Sequence, residues 1–322
     1  MKKYLVKMMA LAASAAALVA PATAPVSVSA QETINIGILQ SMEHSSLNEN
    51  VRGIVDGLEE AGYVDGENIE INIQNANGQT SNMQSISEQL VRDNDYIFAI
   101  ATPAVQALAN VTQDIPIFFT SVADPLGAGV VDSFEEPGAN ITGTTNIGPI
   151  PEQIELMMAT YPEAKTVGVL YNAGEVNAQY QVDTFEEILG EKGLEMVTQT
   201  IATTNDIASS MGNLIPEVDV ILLPTDNTVA SSMGLVGEMA KEANLGIFGG
   251  SNDMIAENGL ASYGLDYYEL GKQTARMMVR AHEEGLNPSE MPVEKAEVLE
   301  LIVNEDYAEA LGLDPASIKL PE

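Results

Sequence analysis

Tyr96-Ile-Phe-Ala-Ile-Ala101 runs directly into Thr102-Pro-Ala-Val-Gln-Ala-Leu-Ala-Asn-Val111, and in the second half of the chain Val218-Asp-Val-Ile-Leu-Leu223 runs into Pro224-Thr-Asp-Asn-Thr-Val-Ala-Ser-Ser-Met233. Each stretch is a short apolar run, then a capping residue, then a helical pattern, which is how a buried parallel strand turning into a helix reads. In open α/β sheets ligands bind at the carboxyl ends of such strands, where helix N-termini present unpaired N–H groups. Two such edges facing each other would form a cleft around a small molecule.

Outward from these stretches, strand and helix patterns alternate with little interruption, predicting α/β architecture with parallel sheets. The first unit reads as strand 34–40, helix 48–61, strand 69–75, helix 81–93, strand 96–101, helix 103–110 and strand 117–120. The second reads as helix 151–161, strand 166–171, helix 177–192, strand 194–200, helix 207–215, strand 218–223, helix 229–243 and strand 246–248. Four segments match in the same order: INIGILQSMEH with TVGVLYNAGE, GLEEAGYVDGENIEINI with EILGEKGLEMVTQTI, DNDYIFAIATPAV with EVDVILLPTDNTV, and IPIFFTSVADP with LGIFGGSNDM. Ordered matches of this kind predict two lobes of one fold. The expected fold class is therefore α/β, with two doubly wound parallel-sheet lobes joined by a three-segment hinge. The Gly- and Thr-rich stretch 139–149 reads as a crossover. Residues 260–271 and the helix that follows to about Glu284 have no counterpart in the first unit and read as a return to the first lobe. Residues 33–145 and 260–292 would then form lobe 1, and 146–259 with 293–322 lobe 2.

Lys2, Lys3 and Lys7 precede an alanine-rich apolar run from Met8 to Ala20 and a small-residue stretch ending Val28-Ser-Ala30. This predicts a secretory signal peptide cleaved near Ala30, so that the body is exported. An uncleaved anchor is the alternative, but the run falls short of the ~20 apolar residues of a span. The chain has no cysteine, which excludes disulfides, thiolate metal sites, Cys nucleophiles and a lipidated-cysteine anchor. Loss of the three leader lysines from 13 basic residues leaves 10 against 47 acidic ones, a formal charge of −37. Such a field repels phosphate backbones, so no nucleic-acid partner is expected. With two histidines and no G-x-S-x-G, P-loop or G-x-G-x-x-G, the chain lacks the parts of the usual nucleophilic, phosphoryl and dinucleotide chemistries. Neither an enzyme nor a cofactor or metal is expected.

GLEEAGYVDGENIEI, AIATPAVQALAN, IPIFFTSVADPLGAGVV, NITGTTN, LPTDNTVASSM, IFGGSNDM and ASYGLDYYELGKQTA together resemble the family of bacterial ABC-transporter solute-binding proteins that includes the tryptophan and tyrosine binders. The resemblance implies the type I periplasmic-binding-protein fold. It also implies a monomer that closes on an amino acid, most often aromatic (tryptophan first, then tyrosine or phenylalanine), and delivers it to a membrane permease at the periplasmic or extracellular face of the cytoplasmic membrane. The chain departs from Gram-positive members of that family in having no cysteine to lipidate.

An amino-acid ligand needs an acceptor for its ammonium, donors for its carboxylate and a side-chain pocket. Asp226, with Asn227 beside it, follows strand 218–223 and is the first candidate for the ammonium, with N-capping as the local alternative. Thr102 and Ser121 end first-lobe strands, where a hydroxyl and nearby N–H groups could hold a carboxylate. Asn146 could reach the ligand from the crossover. Glu175 and Asn177 correspond in position to Glu43 and His44, placing these four on opposed rims, and His44 could stack on an aromatic ligand. Asp253 and Tyr267 are further rim candidates, one of which could simply cap a turn and the other pack under Tyr263. Two other readings stay open: a ligand sensor for a sugar or purine that signals to a membrane receptor, and an exported α/β enzyme.

Overall fold

The computed structural model describes residues 33–321, so the expected leader and its cleavage point lie outside the described residues. Five parallel strands, β1 (Ile34–Gln40), β2 (Ile69–Asn75), β3 (Tyr96–Ile100), β4 (Ile117–Thr120) and β5 (Ile141–Thr145), alternate with helices α1 (Ser45–Glu60), α2 (Thr80–Asp93) and α3 (Thr102–Ala109). The chain then passes through α4 (Ile150–Thr160) into β6 (Thr166–Asn172), α5 (Val176–Glu191), β7 (Glu195–Ile201), α6 (Ile207–Leu214), β8 (Val220–Leu223), α7 (Asn227–Ala230), α8 (Met233–Glu242), β9 (Ile247–Gly249), α9 (Asn252–Asn258) and β10 (Ala261–Leu265). It ends with α10 (Tyr267–Glu284), β11 (Glu294–Lys295), β12 (Leu299–Val303) and α11 (Glu305–Ala310).

Two six-stranded sheets result, ordered β2-β1-β3-β4-β5-β11 and β7-β6-β8-β9-β10-β12. Apolar clusters cover both faces of each: Ile36, Ile38, Phe98 and Phe118 on one face of the first sheet, Leu39, Ile97 and Phe119 on the other; Val167, Val169 and Phe248 against Leu170, Ile221 and Ile247 in the second. Strands buried on both faces must be apolar throughout, which is why β3 and β8 read as unbroken hydrophobic runs.

The matching strand orders correct three expectations. Residues 141–145, read as part of a crossover between lobes, are the fifth strand of the first sheet, paired with β4. Its sequence, ITGTT, hides it: the hydroxyls are buried but bonded, Thr142 to the Met291 carbonyl (2.7 Å) and Thr144 to Thr274 (2.7 Å). Second, Ala261–Leu265 does have a counterpart, since β10 pairs with β9 as β5 does with β4, and this puts it in the second lobe, not the first. Third, Glu294–Lys295 pairs with β5, so the last crossing follows Lys295 rather than Pro292. The hinge segments are thus 146–149, Asp266 and 296–298. After its fifth strand each lobe sends its helix to the other: α4 contributes Ile154 and Met157 to the second-lobe core, while α10 contributes Met277 and Met278 to the first. The expected helix 229–243 is also broken, into α7 and α8, where the Ser231 hydroxyl donates to the Thr228 carbonyl (2.8 Å) and competes with the helical ladder.

Helices α1 and α10 approach closely through glycines. A Cβ on Gly53 would fall inside the van der Waals shell of the Tyr268 carbonyl oxygen, and one on Gly271 inside that of Asn50. Gly53→Ala is expected to cost about 1–3 kcal/mol, the usual range for overpacking a rigid contact. The urea midpoint checks it, and a midpoint equal to the parent's would contradict this close approach.

Candidate functional site

The carboxyl ends of both parallel sheets face each other across the lobe boundary. Between them lies a narrow crevice lined from the first lobe by His44, Ser46 and Leu47 at the start of α1 and Ser121 after β4, and from the hinge by Asn146 and Tyr267. The second lobe supplies Asn177, Thr225, Asp226, Asn227, Ala230, Ser251 and Met254. The crevice continues past Asn146, Thr225, Ser251 and Tyr267 to Gln153, Gln181 and Leu265. Each part has only about 10 Å³ of free volume, space for a single water. On the side away from the hinge a wide cleft of about 1370 Å³ opens between the loops after β1 and β2 and those after β6 and β7.

Hydrogen bonds cross the boundary. The Ser46 and Ser251 hydroxyls meet at 2.7 Å, and His44 Nε2 lies 3.3 Å from Asn227 Oδ1. At the hinge Asn146 Nδ2 donates to the Tyr267 hydroxyl (2.8 Å), and Asn50 Nδ2 donates to the Tyr267 carbonyl.

The second-lobe wall carries two buried carboxyl groups. Asp226 caps α7, its Oδ1 accepting from Val229 N (2.8 Å) and its Oδ2 from Asn172 N (2.6 Å). Glu175 bonds the same turn: Oε2 accepts from Asn227 N (2.9 Å) and Nδ2 (2.6 Å), Oε1 from Thr228 N (3.0 Å) and Oγ1 (2.8 Å). Both carboxyls are buried, and none of the ion pairs among the described residues includes either one. Burial, and next the neighbouring Glu175, push the Asp226 carboxyl up to about 8, against the opposing pull of its N–H donors. A buried carboxylate without a counter-cation is costly, and a ligand ammonium would remove that cost.

The first-lobe wall is the opposite. Helix α1 starts behind His44 and α3 behind Ala101, neither with a side-chain cap nor an acidic residue in its first turn. Uncapped N-termini hold N–H donors and a partial positive charge toward an anion. On this side the hydroxyl oxygens of Ser41, Ser45 and Thr102 and His44 Nδ1 are buried without a protein partner, as are Asn146 Oδ1 in the hinge and Asn177 Oδ1 on the second-lobe wall. Buried polar atoms are rarely left unbonded, and three of these residues, His44, Asn146 and Asn177, line the crevice, where a polar ligand or ordered water would satisfy them. Ala101 (φ 75°) and Ser121 (φ 59°) are left-handed non-glycine residues at the ends of β3 and β4. Strain of this kind gathers at functional sites.

Of the residues singled out from the sequence, Asp226, Asn227, Ser121, Asn146, Asn177, His44 and Tyr267 share the crevice. Asp226 is both the cap of α7 and a residue of the crevice wall. Glu43 is exposed on the outer cleft. Glu175 also reaches that cleft, but its oxygens are taken up by α7, which makes it a support for Asn227 and Thr228 rather than a free rim group. Thr102 is buried at the start of α3, outside the lining of the crevice. Asp253 packs toward Ser46 and Glu49 of α1, and burial pushes its carboxyl up to about 6. Tyr267 is held by Asn146 in the hinge rather than under Tyr263. Ser46, Leu47, Thr225, Ala230, Ser251 and Met254 were not foreseen. For Ser251 a signal existed: IFGGS aligns with IFFTS, placing Ser251 opposite Ser121 in the internal repeat.

The model of a family described as ABC transporter substrate binding protein matches residues 35–317. A tyrosine-binding protein of Clostridioides difficile (strain R20291) is 38% identical over 284 residues, 88% of this chain and 82% of that protein. A solved ABC domain from Streptococcus pneumoniae in complex with L-Trp is 36% identical, covers 90% of this chain and 97% of its own, and superposes with a TM-score of 0.84. A substrate-binding protein with adhesive properties from Clostridium difficile, in its ligand-free, open form, is 40% identical, covers 88% and 96%, and superposes at 0.69. The chain thus fits the tryptophan complex better than the open form despite its higher identity to the latter. With the bonds that bridge the boundary, this describes lobes that are shut.

Proposed function

Because the chain belongs to the ABC transporter substrate-binding protein family and has the type I periplasmic-binding fold, we propose that it captures an aromatic α-amino acid between its lobes and delivers it to a membrane permease. The observation that carries this reading is the polarity of the crevice: Asp226, buried and in none of the ion pairs among the described residues, on one wall and the uncapped N-terminus of α1 on the other complement an ammonium and a carboxylate on one carbon. Aromatic cargo, tryptophan first and then tyrosine or phenylalanine, is supported by the relatives that bind tyrosine and L-Trp. A crevice of about 10 Å³ cannot accept such a molecule, so the lobes must part to admit it and close around it less tightly than they do on each other. The protein works as a monomer on the outer side of the membrane; among the described residues no helix is long and apolar enough to cross one.

Calorimetric titration with L-tryptophan, L-tyrosine, L-phenylalanine, L-leucine, tryptamine and indole-3-propionate tests the reading. Binding of the aromatic zwitterions, with loss on removal of either the carboxylate or the ammonium, is expected. Tryptamine or indole-3-propionate binding as well as tryptophan would contradict it. Loss of amino-acid uptake on deletion of the permease separates delivery from signalling to a receptor.

A further inference from the structure

We infer that the aromatic ring of the ligand lies in the hinge-side end of the crevice, a slot built by the second lobe, and that the ring N–H of tryptophan is donated there to Gln153 Oε1. This rests on the reading above that the crevice holds an aromatic amino acid, and it names the residue that tells one ring from another.

The first argument is which lobe builds the slot. Gln153 comes from α4 and Gln181 from α5, Gly250 follows β9, and Gly264 and Leu265 end β10, while Gly148 belongs to the hinge segment that leads into α4. From the first lobe's side the slot is reached by Asn146, which follows β5, and Tyr267, which begins α10. The other walls are set within one lobe and are the same whether the lobes are shut or parted. Parting the lobes draws Tyr267 away from them and makes room for a ring.

The second argument is direction. Asp226 belongs to the same lobe, and its chain neighbour Thr225 lines both the crevice and the slot. A ligand with its ammonium at Asp226 has two ways to send its side chain, toward the hinge or toward the outer cleft. The outer cleft is wide and carries the Glu43 and Asp206 carboxyls. The slot is lined by buried Ile150 and Leu265 and by the buried glycines 250 and 264. Removal of an apolar ring from water favours the slot.

The third argument is the Gln153 amide. Its Nε2 donates to the Tyr263 carbonyl (3.0 Å) and lies 3.5 Å from the Ser262 hydroxyl. A carbonyl only accepts, so the amide cannot be turned round, and Oε1 is the acceptor left over. Both bonds stay within the second lobe, since α4 packs on its core and residues 262 and 263 lie in β10. Gln181 is different: its Nε2 donates to the Asn177 carbonyl and the Thr225 hydroxyl, and its Oε1 accepts from Thr225 N (3.1 Å). Asn146 Oδ1 also lacks a partner, but Asn146 lines both parts of the crevice and so stands at their junction. Gln153 lines the slot alone, at the end away from Asp226. A Cβ on Gly148 would meet only Gln153 Nε2, at 3.6 Å, so there is space beside this amide.

The test is calorimetry with L-tryptophan and 3-(3-benzothienyl)-L-alanine, which carries sulfur in place of the indole N–H on nearly the same shape. The parent protein should prefer tryptophan by roughly 10- to 100-fold, because the analogue leaves a buried acceptor unbonded. In Gln153→Leu, which has no acceptor, the preference should shrink to within about threefold. Gly148→Val should weaken tryptophan binding by about tenfold or more, since its side chain would enter the slot from a backbone position outside the left-handed region. The parent's preference and Gly148→Val decide the matter even if Gln153→Leu fails to fold. Equal affinity of the parent for the two ligands, an unchanged preference in a folded Gln153→Leu, or unchanged tryptophan binding by Gly148→Val would overturn the inference and leave the amino-acid assignment standing. No binding of tryptophan, tyrosine or phenylalanine by the parent would overturn both.

Discussion

Asp226→Asn is expected to weaken tryptophan binding by about 100-fold or more while the protein stays folded. The carboxyl lies in the crevice wall, in none of the ion pairs among the described residues, and each of its oxygens accepts a backbone N–H. An ammonium placed there would gain a charge-assisted bond in a desolvated site, and removing one partner of such a pair usually costs 2–5 kcal/mol, of which about 2.7 corresponds to 100-fold. The amide keeps an oxygen to cap Val229, so the short helix α7 should persist. Calorimetry of the folded variant decides the matter. An affinity within about threefold of the parent's would place the ammonium elsewhere.

The same residue should also make ligand-free stability and ligand binding depend on pH in opposite senses. In the folded protein the Asp226 carboxyl sits at about 8, raised from an ordinary 3.8. Between those values the folded form holds a proton that the unfolded chain has released. Its contribution to stability is thus complete below about pH 4 and falls as pH rises toward 8, by on the order of 1 kcal/mol per pH unit within that window. Asp206 and Asp219 act the other way. Backbone N–H donors, from Thr203 and Ala202 to the first and from Lys165 and Thr166 to the second, hold these carboxyls below the usual range, so their contribution is lost as pH falls. The parent-minus-Asp226→Asn difference isolates the Asp226 effect, and its slope should be negative from pH 5 to 7. Binding an ammonium beside Asp226 should expel the proton, so affinity should rise with pH over the same window. At pH 7 calorimetry in buffers of different ionisation enthalpy should report close to one proton released per ligand. No proton release, with binding intact, would contradict an ionised Asp226 in the complex.

The local signals in the chain are strong where one residue's neighbours decide its state. Apolar runs bounded by caps place β3, β4 and β8 within a residue or two, and Asp226 announces itself as the cap after one of them. Strand β5 escapes because hydroxyls replace apolar side chains there, and they tolerate burial only through bonds to Met291 and Thr274, more than a hundred residues away. Gly143 adds to the disguise: it belongs in the strand because a Cβ would strike the Phe119 backbone of β4. At the site, residue type suggests Asp226, Asn146 and His44, but what each does depends on partners in other segments. Glu175 shows this most plainly. It reads as a rim carboxylate and turns out to be committed to Asn227 and Thr228, in the turn that holds Asp226.

The chain contains no tryptophan, so indole excitation reports on added ligand alone. The most direct test of an aromatic amino-acid binder is therefore to strip the protein by unfolding and refolding, add it stepwise to L-tryptophan and follow the ligand's emission. The account predicts a saturable spectral change with one ligand per chain, lost with Asp226→Asn. An emission that stays that of free tryptophan, with the protein verified as folded, would contradict it.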